Sequence, residues 1–168
     1  MSNPIIIVNG KANAGKDTFI RHLKEISDIP IINFSLIDPV KELFNKYNYE
    51  KDSEYRLLLQ NVLIAWMNTN RKPLKLLCEK IDSVSDSDSI IFCHIRQAEY
   101  IDMIKKHYKE RVYTLHIESD FAIETGVPAD ECTLNYEYDY YARIDNDISQ
   151  AVKNFYEWLL SEKEVKSV

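Results

Sequence analysis

Residues 4–9, PIIIVN, are apolar or β-branched with no alternation, the pattern of a strand buried on both faces. PIINFS at 30–35, IIFCH at 90–94, VYTLHI at 112–117 and a short run at 141–144 read as four more strands. Between them the apolar spacing changes to three and four. Phe19, Ile20, Leu23 and Ile26 give a helix over 19–27. Asp38 and Pro39 suit a helix cap and first helical position, ahead of Val40, Leu43, Phe44 and Tyr47. Ser53 opens a helix whose inward stripe is Tyr55, Leu58, Leu59, Val62, Leu63 and Trp66, with Trp66 read as core. NTNRKP at 68–73 breaks it, and a shorter helix follows over 74–82. A helix over 97–107 buries Ala98, Ile101 and Ile104, and Ile148, Val152, Phe155 and Leu159 line a closing helix.

The remainder is loop. SVSDSDS at 83–89 is polar surface, residues 119–139 have no clean period and read as a lid-like segment, and SEKEVKSV frays. Strands alternating with helices predict an α/β fold, a parallel sheet with helices on both faces. The purely helical stretch at about 38–82 reads as a substrate-side excursion within one domain spanning 1–168.

Composition narrows the class. The chain of 168 residues is long enough to bury a core without disulfides or structural metal. Cys78, Cys93 and Cys132 form no CxxC pair, which excludes a zinc pattern and fits reduced, cytoplasmic thiols. Lys plus Arg is 21 against 27 Asp plus Glu, a net charge of −6 that argues against nucleic-acid or anionic-membrane partners. No apolar run approaches the ~20 residues of a membrane span, and the first residues carry no signal-peptide pattern.

The candidate chemistry lies directly after the first strand. Gly10-Lys-Ala-Asn13-Ala14-Gly15-Lys16-Asp17-Thr18 has the G-x-x-x-x-G-K spacing of a phosphate-binding loop, between a buried strand and a helix. Glycines let the backbone turn its N–H groups inward, the helix N-terminus adds a positive dipole, and the lysine meets the β- and γ-phosphates as a point charge. The letter after the lysine is ordinarily a hydroxyl residue that binds Mg²⁺; here it is Asp17. Its carboxylate can hold Mg²⁺ directly or through water, or Thr18 can take a supporting role, and Asp38 and Asp120 are competing carboxylates. The sequence does not choose between them. A carboxylate holds a hard cation better than a thiol or imidazole, so Cys93 and His94 are expected to matter little for Mg²⁺.

With Asp in that place, GKDT resembles the phosphate loop of phage and bacterial deoxynucleoside monophosphate kinases and of animal phosphomevalonate kinases. Further stretches agree in order: FSLIDPVKE at 34–42, LLQ at 58–60, IFCHIRQAEYI at 91–101, and the segment from Glu131 to Asn146. The resemblance implies an adenylate-kinase-like, three-layer αβα sandwich with five parallel strands in the order 2-3-1-4-5. It implies ATP and Mg²⁺ at the loop, with Gly10, Asn13, Ala14, Gly15, Lys16, Asp17, Thr18 and Asn146 on the nucleotide. It also implies a small phosphorylated acceptor, with Lys41 and Arg96 contacting its phosphate and joining Lys16 as catalytic cations; Asp38 is a further acceptor-side candidate, and Arg56 reads either as an acceptor cation or as a surface helix residue. Lys41 and Arg96 stand just beyond C-terminal strand ends, where such sheets bind ligands. Arg71-Lys72 reads either as further acceptor cations or as a helix-end surface pair. Tyr136, Tyr138, Tyr140 and Tyr141 read as lid-to-strand packing or as a base-stacking set. Asn146 is alternatively a helix cap, a role Asp147 also fits.

Two departures stand out. The third strand ends in Cys93-His94, where the resembling kinases carry an acid, and Ile117–Ala129 contains no Arg or Lys. Either Arg96 or Arg143 supplies the missing lid charge, or turnover is poor. The expected function is therefore ATP-dependent phosphoryl transfer to a (deoxy)nucleoside monophosphate. The alternatives are a nucleotide-binding module with little catalysis and a phosphomevalonate-type metabolite kinase. A monomer or homodimer is expected.

Overall fold

The computed structural model describes residues 3–44, 53–84, 87–123, 135–144 and 147–165. Its strands are β1 (Ile5–Asn9), β2 (Ile31–Ser35), β3 (Ile90–His94), β4 (Val112–Ser119) and β5 (Tyr140–Ile144). The helices are α1 (Lys16–Ile26), α2 (Asp38–Phe44), α3 (Ser53–Asn70), α4 (Lys72–Ser83), α5 (Ala98–Tyr108) and α6 (Ile148–Val165). All strands pair in parallel in the order β2-β3-β1-β4-β5, the order the resemblance implies.

The sheet divides two cores, because alternate residues of a strand face opposite sides. Ile5 and Ile7 of β1 face α2–α5, packing with Val40, Leu59, Leu77, Ile101 and Ile104. Ile6 and Val8 face α1 and α6, packing with Phe19, Leu23, Phe92, Phe155 and Leu159. Phe155 is the keystone of that second layer, touching Phe19 edge-on at 5.6 Å and Tyr140 at 5.4 Å. A fully buried aromatic of this kind stabilises the fold by about 1.5–3 kcal/mol. β1 is buried at every position while the edge strand β2 is half-exposed, which explains why PIIIVN lacks alternation.

Several boundaries and faces differ from the sequence expectation. α1 begins at Lys16 instead of residue 19, because Gly15 itself caps it and accepts the Phe19 N–H at 2.8 Å. The break expected over 68–73 contracts to Arg71, which alone turns left-handed (φ 55°) between α3 and α4. Asp38 does not cap α2 forward. It lies in the first turn, and its Oδ2 accepts the Ser35 N–H at 3.0 Å behind it. Leu58, Leu43 and Ile26 are exposed, whereas Met67 is buried. On α3 the buried stripe runs 59, 63 and 67, a strict four-residue step that leaves Leu58 on the flank. Trp66 is half-buried against the first core. Tyr47 and residues 124–134 of the lid-like segment lie outside the described residues. Among the described residues no helix is long and apolar enough to cross a membrane.

Candidate functional site

The exit of β1 is where the backbone becomes unusual. Gly10 has φ 145°, and a Cβ there would collide with the Ile117 carbonyl of β4, so the chain can leave the sheet at this point only as glycine. Asn13 (φ 58°) and Gly15 (φ 84°) then turn left-handed in succession, which curls the loop back over its own strand. Asn is among the few residues that tolerate that region without a glycine's freedom. Asn9 anchors the base of the loop by donating from Nδ2 to the Ile95 carbonyl at 2.6 Å. Beyond the loop, Ile123 donates its N–H to the Ala12 carbonyl at 2.9 Å, tying the loop to the segment after β4. α1 has no side-chain cap, so its first turn meets the loop with backbone N–H groups and a positive dipole end. The Lys16 ammonium reaches back across the loop and donates to the carbonyls of Gly10 (2.7 Å) and Lys11 (2.8 Å).

A cleft of about 980 Å³ opens beside this loop, along the C-terminal edges of β1, β2 and β3. One wall is the phosphate loop with Lys16, Asp17 and Thr18. The same cleft is lined by Asp38 and Lys41 of α2, Arg56 of α3 and Arg96 beyond β3. Residues far apart in sequence and singled out separately thus line one cavity. Asp38 is committed within it: besides accepting from Ser35, its Oδ1 pairs with Lys41 Nζ at 3.3 Å. The cleft also takes in Asn33, Ser35 and Gln97, which carried no expectation, with Tyr55, expected only on the inward helix stripe, and Gln60, expected only as part of the LLQ stretch. Gln60 had a visible signal, an amide beside the buried stripe of α3.

His94 closes the floor. It pairs in register with Val8 at the exit of β1, and its Nε2 lies 3.9 Å from Asp17 Oδ1, beyond hydrogen-bond range. That nitrogen is buried and has no hydrogen-bond partner, an arrangement that costs about 1–3 kcal/mol. Burial drives the His94 pKa down to about 4, against the opposing pull of Asp17, so the imidazole is neutral at neutral pH. The Asp17 side chain is 92% exposed and free to rotate over the cleft.

Other candidates fall elsewhere. Asp120 pairs with Arg143 at 3.2 Å, both side chains exposed, and neither lines the cleft. Arg71 and Lys72 are also outside it, and Lys72 reaches Glu79 at 3.8 Å on α4. Tyr138 and Tyr141 pack against the buried ring of His116, Tyr136 packs on Tyr138 and donates its hydroxyl to Asp102 at 2.8 Å, and Tyr140 turns to Phe155 and Trp158 on the other face. The four tyrosines pack along the β4–β5 edge, and none of them lines the cleft. Cys93 is fully buried and burial pushes its thiol far above the ordinary range, which makes it inert. Asn146 lies outside the described residues. Among the described residues there is no cluster of three or more His, Cys, Asp or Glu side chains able to hold a metal by themselves.

No protein-family model matches the chain, and no curated protein matches it. Solved structures do match in fold. The Mycobacterium tuberculosis APS kinase, solved with AMPPNP and APS, superposes with a TM-score of 0.58 at 10% identity, covering 94% of this chain and 98% of that one. Thymidylate kinase from Candida albicans gives 0.58 at 13% identity, covering 96% and 93%. A gluconokinase from Sinorhizobium meliloti gives 0.50 at 10% identity, covering 90% and 87%. The five-stranded parallel sheet in the order 2-3-1-4-5, with helices on both faces, matches the α/β fold of P-loop kinases.

Proposed function

We propose that this chain is an ATP-dependent phosphotransferase that carries the γ-phosphoryl group to a small phosphorylated acceptor, a (deoxy)nucleoside monophosphate. The observation that carries this reading is that one cleft is lined both by the loop with Lys16 and by Lys41, Arg56 and Arg96. A loop with inward N–H groups and Lys16 suffices for the donor polyphosphate. Lys41, Arg56 and Arg96 add positive charge to the same cavity, with Lys41 shared with Asp38, and so give a second anion cationic groups to meet there. Tyr55, Leu59 and Gln60 add an apolar wall with one amide, which suits a nucleobase better than a sugar. The P-loop-kinase fold of the solved neighbours supports phosphoryl transfer in general.

In this reading the acceptor phosphate oxygen attacks the γ-phosphorus in line. The bond from γ-phosphorus to the β–γ bridging oxygen breaks, and ADP leaves. A phosphate nucleophile is already ionised and needs no protein base, so the protein's contribution is position and charge. Lys16 holds the donor end; Lys41 and Arg96 orient the acceptor and screen the repulsion between two anions. Asp17 would hold Mg²⁺: its exposed carboxylate lines the cleft beside Lys16, and a carboxylate suits a hard cation. When bound, that cation neutralises charge on the transferring phosphoryl group.

A nucleotide-binding module with little turnover is the second reading, favoured by the neutral His94 at the strand end and by Arg143 standing outside the cleft. Calorimetric ATP binding, run beside an ADP-release screen across nucleoside monophosphates and other phosphorylated metabolites, separates the two. Tight ATP binding with turnover on one monophosphate class is expected. Binding without turnover on any acceptor selects the module, and no ATP binding refutes both.

A further inference from the structure

The place where this cleft departs most from a hard-oxygen magnesium site is the pair Asp17 and His94. They come from different elements, the first turn of α1 and the last position of β3. The sheet brings them together because β3 runs parallel to β1 with His94 level with Val8, one residue before the strand that feeds the loop ends. Alternation puts Ile90 and Phe92 on the α1 side of the sheet, and His94 follows them onto that side. Its Nε2 is shielded from solvent and makes no hydrogen bond, while Asp17 stands above it, almost wholly exposed. The 3.9 Å between Nε2 and Oδ1 is too long for a direct hydrogen bond. Two ligands at about 2.1 Å from one cation lie about 3 Å apart when adjacent and about 4 Å apart when opposed. A rotation of the exposed Asp17 side chain covers that whole range without moving the backbone.

Resting on the phosphotransferase reading, we infer that Asp17 and His94 together form a mixed oxygen–nitrogen cation site, completed by nucleotide phosphates, that favours Mn²⁺ over Mg²⁺. The donor set gives the preference. Carboxylate, phosphate and water oxygens satisfy either ion, but imidazole nitrogen contributes little to hard, reluctantly dehydrated Mg²⁺ and more to the first-row transition ions. The site needs the nucleotide, since two protein donors leave most coordination positions to other ligands. It also accounts for the histidine at the strand end: a neutral nitrogen lone pair takes the position of an acid and remains within reach of the Asp17 carboxylate. With Mg²⁺ the histidine is nearly silent, so the two ions should respond differently to its removal.

Electron spin-echo spectroscopy of the Mn²⁺–ADP complex of the full chain tests this directly, with Mn²⁺ as both cation and probe. Imidazole ¹⁴N modulation is expected in the parent protein, and its replacement by the ¹⁵N pattern when the protein is grown with ¹⁵N-histidine. Calorimetry gives the second readout. His94→Asn should weaken Mn²⁺–ADP by about tenfold or more while changing Mg²⁺–ADP by less than about twofold. His94→Asp, an oxygen donor at the same position, should move the preference back towards Mg²⁺. Both variants are checked for folding by circular dichroism, and the spectroscopy on the parent protein needs neither. Tight Mn²⁺–ADP binding without ¹⁴N modulation overturns this proposal and leaves the nucleotide site standing. Failure of ADP to bind with either cation overturns the proposal together with the reading on which it rests.

Discussion

Replacing Lys16 by methionine probes the phosphate loop with the least disturbance. The ammonium is part-buried and donates at 2.7 and 2.8 Å to the Gly10 and Lys11 carbonyls. Methionine keeps the apolar stem and removes only the charged head. Losing the donor leaves the carbonyls of buried Gly10 and half-buried Lys11 short of a partner, so the expected loss of stability is about 1–3 kcal/mol. For a chain of this size that lowers the melting temperature by roughly 2–4 °C per kcal/mol. The effect on binding is larger. In the complex the ammonium exchanges carbonyl oxygens, which carry partial charge, for phosphate oxygens carrying full charge. A hydrogen bond to a charged group contributes about 1.5–3 kcal/mol, and Lys16 has donors for two, so about 3 kcal/mol of net loss is expected. At 1.4 kcal/mol per decade this weakens ATP by about 100-fold. The assay is titration calorimetry with ATP, with ADP, and with adenosine, which lacks phosphate and should be unaffected. A folded Lys16→Met protein that binds ATP within about threefold of the parent would remove the loop from the phosphate site, and with it the proposed function.

Three further outcomes follow from the same geometry. Lys41→Ala and Arg96→Ala should each weaken the acceptor by about 1.5–3 kcal/mol and leave ATP affinity within a few-fold, measured by separate titrations of the two ligands; equal losses on both would move these cations to the donor side. Asp17→Ala should raise the Mg²⁺ concentration required for tight nucleotide binding, read from ATP affinity across a Mg²⁺ series, and an unchanged series would leave the carboxylate after Lys16 without a metal role. Burial holds His94 and His116 below the ordinary histidine range, His94 at about 4, so the unfolded chain binds more protons than the folded one once pH falls below about 6.5. Stability should therefore be fully present above about pH 6.5 and decline towards pH 4, with a slope of up to about 1.4 kcal/mol per pH unit for each histidine; urea denaturation across that range checks the sign, and a profile flat between pH 7 and 4 refutes it.

Local pattern carried much of this molecule into view. The β-branched runs mark strands because a strand covered on both faces admits no polar alternation, and the three-to-four spacing marks helices because one turn takes 3.6 residues. The phosphate loop was legible for a similar reason: Gly10 and Gly15 occupy positive φ, Gly10 against the Ile117 carbonyl, and Lys16 follows at the helix start. Each of these depends on neighbours in the chain. Element ends were less legible. Gly15 starts α1 early and Arg71 alone interrupts the helical hairpin, since a cap or a left-handed turn is settled by one residue's backbone angle and the packing around it.

The sequence by itself determined the strands, the helices and the phosphate loop, and it marked Lys41, Arg56 and Arg96 as cations worth watching. Tertiary structure alone decided that these cations share one cleft with Lys16, that Asp38 is taken up by Ser35 and Lys41, that Asp120 and Arg143 pair outside the cleft, and that His94 stands beneath Asp17. The reason is the crossover connection. A parallel sheet places consecutive strands through intervening helices, so what stands beside β1 at its C-terminal end is β3, over 80 residues further along the chain, at a height fixed by the pairing of Val8 with His94. No spacing along the chain encodes that distance; it follows only once both faces of the sheet are packed.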